Sequence, residues 1–145
     1  MLFRSLPHKR WEDEHLVITG GEPLLGWQRA YPALLDHPKM AGLKEITFET
    51  NGTQALSNEF KEYLHNWEWH QSIKREVTFS VSAKLSCSGE PEEQRIRPDI
   101  VHSYEGYGHV YLKLVVATEE DCQEALKVVN RYRRSEEHTS ELQSH

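Results

Sequence analysis

The run Leu16-Val17-Ile18-Thr19-Gly20-Gly21-Glu22-Pro23 joins a short apolar segment to a glycine pair and an acid. Branched aliphatic residues followed at once by Gly-Gly read as a strand that stops in a tight turn. Three further runs carry the same apolar signature: Ile46-Thr47-Phe48, Val77 to Val81, and Val110 to Val116. The four begin 30, 31 and 33 residues apart. That spacing is too long for hairpins and suits strand–helix–strand units.

The intervening segments supply the helices. Trp27, Ala30, Tyr31 and Leu34 recur at helical spacing, as do Phe60, Tyr63, Leu64 and Trp67, and then Cys122, Ala125, Leu126 and Val129. Ser57 or Asn58 can cap the second helix, and Thr118 before Glu119-Glu120-Asp121 caps the third with an acidic first turn. The stretch between Lys84 and Val110 is poor in pattern, apart from a short helix expected over Pro98 to Tyr104. The expected class is α/β, with about four parallel strands and crossover helices. A near-constant repeat of this length suits a (β/α) barrel, and four strands amount to part of one.

Length and composition bound the rest. A chain of 145 residues allows one domain. No apolar run approaches the roughly 18 residues of a membrane span, so the membrane is excluded as a partner. The formal net charge of −6 has the wrong sign for a chain that grips phosphates, so nucleic acid is excluded as well. Two cysteines, Cys87 and Cys122, are too few for a disulfide scaffold, and nothing before Leu16 looks like a signal segment; the cytoplasm is the expected compartment.

The ends differ from the middle. From Arg134 the chain reads RSEEHTSELQSH, which lacks any period and resembles the translation of a common sequencing-library adapter. MLFRS at 1–5 looks similar. The expectation is a non-native scar over 1–5, a domain over 6–133, and a non-native disordered tail over 134–145. On that reading the chain is an interior fragment of a longer protein.

In a parallel α/β sheet, ligands sit at the carboxyl ends of the strands. Thr19-Gly20-Gly21-Glu22-Pro23 follows the first strand, Glu49-Thr50-Asn51-Gly52-Thr53 the second, and Ser82-Ala83-Lys84 the third. Gly-Gly lets a ligand approach the backbone, Glu22 can accept from a cationic ligand group, and Pro23 stiffens the exit; an ordinary strand-to-helix turn explains the same letters. Glu49 can pair with the N–H groups of a polar heterocycle, or be a solvated loop acid. Asn51-Gly52 suggests a hairpin turn in isolation, but with a capped helix next it shapes a strand-to-helix loop. Lys84 offers a cation to a ligand carboxylate. Lys113, between Leu112 and Leu114, points away from those leucines toward the polar side, where it is ligand-facing, paired, or simply wet. Nine histidines show no close ligand spacing and read as scattered surface residues. Cys122 reads as core and Cys87 as loop. Trp27 and Trp67 lie on helical stripes, whereas Trp11 and Trp69 have no assigned place.

Together and in order, Val17-Ile18-Thr19-Gly20-Gly21-Glu22-Pro23-Leu24, Phe48-Glu49-Thr50-Asn51-Gly52-Thr53, Phe79-Ser80-Val81-Ser82-Ala83-Lys84-Leu85 and Tyr111-Leu112-Lys113 closely resemble 7-carboxy-7-deazaguanine synthase, of the radical S-adenosylmethionine superfamily. The match spans most of Leu16 to Tyr132; Gly-Gly-Glu-Pro indicates the superfamily, and the second and third motifs narrow it. The resemblance implies a partial radical S-adenosylmethionine barrel and a lyase that converts 6-carboxy-5,6,7,8-tetrahydropterin to 7-carboxy-7-deazaguanine for queuosine and related deazapurines. Its implied cofactors are S-adenosylmethionine, a [4Fe–4S] cluster and Mg²⁺, and a homodimer is the assembly to expect. Gly20, Gly21, Glu22, Asn51, Ser82, Ala83 and Lys84 would hold the cofactor, and Thr19 and Glu49 the pterin.

Two departures stand out. Family members usually carry proline where this chain has Ala83. The family's Cys-x-x-x-Cys-x-x-Cys loop precedes the Gly-Gly-Glu-Pro strand, and no cysteine precedes Leu16 here. The cluster and Mg²⁺ ligands are therefore expected outside this chain, which alone is expected to be inactive. The alternatives are a non-catalytic module that binds S-adenosylmethionine or a pterin, and an activating enzyme acting on a partner protein.

Overall fold

The computed structural model describes residues 11, 14–69 and 72–143, with side chains described as far as 134. The expected scar over 1–5 lies outside the described residues. Four strands, β1 (Leu16–Ile18), β2 (Glu45–Thr50), β3 (Glu76–Ser82) and β4 (His109–Lys113), form one sheet in sequence order, and every pair is parallel. The α/β class and the four-strand count agree with the sequence reading. The sheet is open, with β1 and β4 at its edges. Among the described residues no helix is long and apolar enough to cross a membrane.

Strand boundaries moved where pairing outran the apolar letters. β2 runs on through Glu49 and Thr50, because both have register partners in β3, Ser80 and Val81. β4 begins at His109 and ends at Lys113, so Leu114, Val115 and Val116 lie beyond the strand, with Val115 80% exposed. Their branched side chains have the right propensity, but β3 ends at Ser82, opposite Lys113, and leaves them no ladder to join.

Period-2 alternation divides the sheet into two unlike faces. Ile46 and Phe48 of β2 and Val77, Phe79 and Val81 of β3 are all but fully buried under the helices. Phe79 stacks on Phe48 and on Tyr104, and Phe48 meets Phe60 edge-on, so an aromatic row runs through the core. The opposite face carries Thr47 and Glu49, Thr78 and Ser80, and His109, Tyr111 and Lys113, paired in rows across the strands.

The helices are α1 (Tyr31–Leu35), α2 (Asn58–Glu68), α3 (Glu92–Arg95), α4 (Pro98–Tyr104) and α5 (Glu119–Gln143). In α2 the stripe holds: Phe60, Leu64 and Trp67 are buried, and Ser57 is the cap, its side chain accepting from Phe60 N. The expected helix over Pro98 to Tyr104 is α4. α3, and a 3-10 turn over Ser86–Ser88, have no periodic signature in the sequence.

Three expectations need correction. Trp27 and Ala30 are exposed and precede α1, because Pro32 is compatible with the first turn of a helix and not with its interior. In α5, Cys122 and Leu126 are exposed, while Val128 and Tyr132 are buried. The packed face is turned by polar anchors: Glu124 accepts from Ser86 N and Oγ and pairs with the buried Arg95. Last, α5 continues to Gln143 where a disordered tail is expected from Arg134. Propagating a helix already nucleated upstream costs far less than starting one, so residues without a stripe can follow on. Of the unassigned tryptophans, Trp11 donates its indole N–H to Lys39 O, and Trp69 is exposed.

Candidate functional site at the carboxyl ends of the strands

Thr19, Glu49 and Ser82 stand at one rim. The loops leaving β1, β2 and β3, with the start of α5, enclose a hollow of about 460 Å³, within the range of small-molecule sites. Eight of the nine sequence-predicted site residues line it: Thr19, Gly20, Gly21, Glu49, Asn51, Ser82, Ala83 and Lys84. Glu22 does not.

The glycine pair is open to the hollow. Gly20 has φ of 123°, a conformation that favours glycine, and a Cβ at either Gly20 or Gly21 would meet no atom within 4 Å. The space left by the missing side chains is therefore available to a ligand.

Glu22 is held by its own chain. One carboxylate oxygen accepts from Leu24 N at 3.1 Å and Thr50 Oγ1 at 2.6 Å, and the other from Asn51 N at 2.8 Å. Three donors of this chain thus meet the Glu22 carboxylate. Its role is to fasten the turn after β1 to the end of β2. Gln28 makes a second fastening, donating to Leu24 O and Ala55 O and accepting from Ser57 N.

The β2 loop is shaped by Asn51, whose side-chain oxygen accepts from Thr53 N at 3.0 Å and Thr53 Oγ1 at 2.6 Å. Gly52 follows with φ of 76°; a Cβ there would sit 2.7 Å from Val81 Cγ1 and 2.9 Å from Val101 Cγ2. Glycine is required at this position by conformation and by space together.

Lys84 lines the hollow, and its ammonium is paired with Glu90. The same loop is anchored from below by Arg95, buried in the core, which donates to Lys84 O at 2.9 Å and Glu90 O at 3.2 Å and pairs with Glu124 at 3.1 Å. Hydrogen bonds from Ser86 hold the Glu124 carboxyl below the usual carboxylate range, with Arg95 adding to the effect.

Lys113 projects from the polar face as its neighbours imply. Its Nζ lies 3.2 Å from Glu49 Oε1, both side chains about half exposed.

The sequence reading missed the hollow's fourth wall. Val115 and Ala117 after β4, and Asp121 in the first turn of α5, line it together with Cys87 and Ser88. Asp121 and Thr118 cap each other: the Asp121 carboxylate accepts from Ala117 N and Thr118 N, and Thr118 Oγ1 accepts from Asp121 N. The signal was available, since the carboxyl-end rule applies to the fourth strand as it does to the first three.

The arrangement offers an open glycine cradle, one carboxylate on the polar face, hydroxyl groups, and an apolar flank from Ala83, Leu85, Val115 and Ala117. Such a hollow can take a small ligand with both polar and apolar parts. No known family, curated protein or solved structure matches this chain.

Proposed function

We propose that this chain is the S-adenosylmethionine- and pterin-binding part of a radical S-adenosylmethionine enzyme of the 7-carboxy-7-deazaguanine synthase kind, acting on 6-carboxy-5,6,7,8-tetrahydropterin. The observation that carries the reading is convergence. Thr19-Gly20-Gly21, Glu49-Thr50-Asn51 and Ser82-Ala83-Lys84 are far apart in sequence and line one hollow at the carboxyl ends of three neighbouring parallel strands. Four parallel strands in sequence order, with one face apolar and buried and the other polar, support the partial barrel that this reading requires.

The residues present fit some of the implied groups and not others. The Gly20-Gly21 cradle, open where side chains would stand, fits the amino-acid end of S-adenosylmethionine. Bound beside a reduced cluster, that cofactor supplies a 5′-deoxyadenosyl radical. The cluster itself does not fit this chain: two cysteines cannot furnish the three thiolates of the family's loop. In the family that the chain resembles the Mg²⁺ ligand neighbours that same cysteine loop, and among the described residues no group of three His, Cys, Asp or Glu is placed to hold a metal ion. On this reading both sets of ligands come from polypeptide outside this chain. The chain's own work is to seat the cofactor on Gly20 and Gly21, to offer Glu49 to the N–H edge of a pterin, and to keep both loops in place through Glu22.

Calorimetric titration with S-adenosylmethionine and with pterin-6-carboxylate tests the proposal. Both should bind; Gly21→Val should weaken the first at least about tenfold, and Glu49→Gln the second, without crossing over. Failure of both ligands to bind the intact chain overturns the reading. The cysteine count favours a second reading, a module that binds without cleaving. Incubation with iron and sulfide should leave the chain without cluster absorption, and a stoichiometric iron–sulfur spectrum would refute the assignment of the cluster ligands elsewhere.

A further inference from the structure

We propose that Lys113 is a positioning residue for Glu49 and thereby sets how tightly the hollow holds a pterin; this rests on the functional reading above. Lys113 sits on β4 and Glu49 on β2, with β3 between them. Glu49 is in register with Ser80, and Ser82 with Lys113. To bring Nζ within 3.2 Å of Glu49 Oε1, the lysine stem must cross β3 between these two serines. The small side chains of Ser80 and Ser82 leave that path clear, where a leucine or phenylalanine would fill it.

Glu49 lines the hollow. Lys113 engages Oε1, one of its two oxygens, so that Oε2 is the acceptor a ligand would meet. A free carboxylate on a strand samples several rotamers and presents either edge. One oxygen tied to an ammonium presents a single acceptor beside a positive charge, complementary to a ligand edge carrying one N–H next to a carbonyl. The magnitude of the pair's other contribution separates this role from a structural one. Half-exposed ion pairs add little to folding stability, so removing Lys113 should alter recognition while leaving the fold as stable as before.

The test uses the full chain, with fluorescence titration of pterin-6-carboxylate and calorimetric titration of S-adenosylhomocysteine. Variants are Lys113→Met, Lys113→Arg, Glu49→Gln and the Lys113→Met/Glu49→Gln double. Lys113→Met should weaken the pterin about tenfold and Lys113→Arg recover most of the loss. The double variant should bind no worse than Glu49→Gln alone. Affinity for S-adenosylhomocysteine and the urea midpoint should stay unchanged. Multiplicative losses in the double variant overturn the proposal, as does a parallel fall in S-adenosylhomocysteine affinity or a pterin affinity that Lys113→Met leaves intact. If the unaltered chain binds neither probe, the functional reading falls and the proposal with it; if it binds both and the losses multiply, the proposal falls alone.

Discussion

At Gly52 the backbone and the core make the same demand. The residue holds φ of 76°, and any Cβ would press on two valine methyl groups, one from β3 and one from α4. Gly52→Ala should therefore cost about 3 kcal/mol, combining left-handed strain with overpacking, and urea denaturation should show a lowered midpoint with an unchanged slope. A loss under about 0.5 kcal/mol would mean that Val81 and Val101 give way more easily than packed valines do. The contrast with Gly21 is instructive. Both are glycines in loops at the carboxyl end of the sheet, and the letters alone do not separate them; one excludes a side chain because protein is there, the other leaves open hollow. Glu22 shows the same limit on a polar residue, since an acid beside Gly-Gly reads equally as ligand acceptor or as strut. Its three donors come from residues 24, 50 and 51, two of them nearly thirty positions away.

At the scale of the element, α5 separates local from tertiary information. Its cap is written in four consecutive letters, Thr118-Glu119-Glu120-Asp121, and forms as those letters direct. Which side packs is not written there, because the stripe of Cys122 and Leu126 competes with one containing Glu124, Val128 and Tyr132. Polar contacts to Ser86 and Arg95 decide it. Leu126→Ser should then change stability by no more than about 0.5 kcal/mol, whereas Val128→Ala should cost about 1–2 kcal/mol in denaturant melts; equal losses would place Leu126 in the core. The same clamp carries a pH dependence. Hydrogen bonds from Ser86 lower the Glu124 carboxyl, the Ala117 N–H lowers that of Asp121, and Arg97 lowers that of Asp99. In each case the folded state binds its proton less tightly than the unfolded chain does. The stability these groups supply is full above the ordinary carboxylate range and is lost as pH falls through the lowered folded values. Thermal melts from pH 7 to 3 should decline below about pH 4, and Glu124→Gln should be less stable at neutral pH with a shallower acid decline. A parallel curve for that variant would remove Glu124 from the account.

For the molecule as a whole, the sheet has one apolar face packed under helices and one polar face, with the hollow opening at the carboxyl end of its strands. A ligand that bridges three loops in the folded state and finds no such arrangement in the unfolded chain must raise stability. On the reading proposed above, S-adenosylmethionine at a hundredfold excess over its dissociation constant should add about 2.7 kcal/mol, visible as a higher melting temperature, and a tenfold weakening in Gly21→Val should cut that gain to about 1.4 kcal/mol or less; a melt unmoved by ligand would overturn that reading. Much of this architecture was legible early because strand spacing, period-2 alternation and helix caps are local signals, each carried by a few neighbouring residues. The stretch between Lys84 and Val110 resisted because α3 and the Ser86–Ser88 turn are held by long-range partners, Arg95 with Lys84 O and Ser86 with Glu124. By itself, then, the sequence determined the class of fold, the order of its four strands and the rim at which the polar residues gather, since spacing and alternation depend on chain geometry alone. Only the tertiary structure decided which of those residues face the hollow and which are spent on the protein's own backbone, because a carboxylate or an ammonium is claimed by whichever partner folding brings within about 3 Å, and that distance is set by the packing of distant segments.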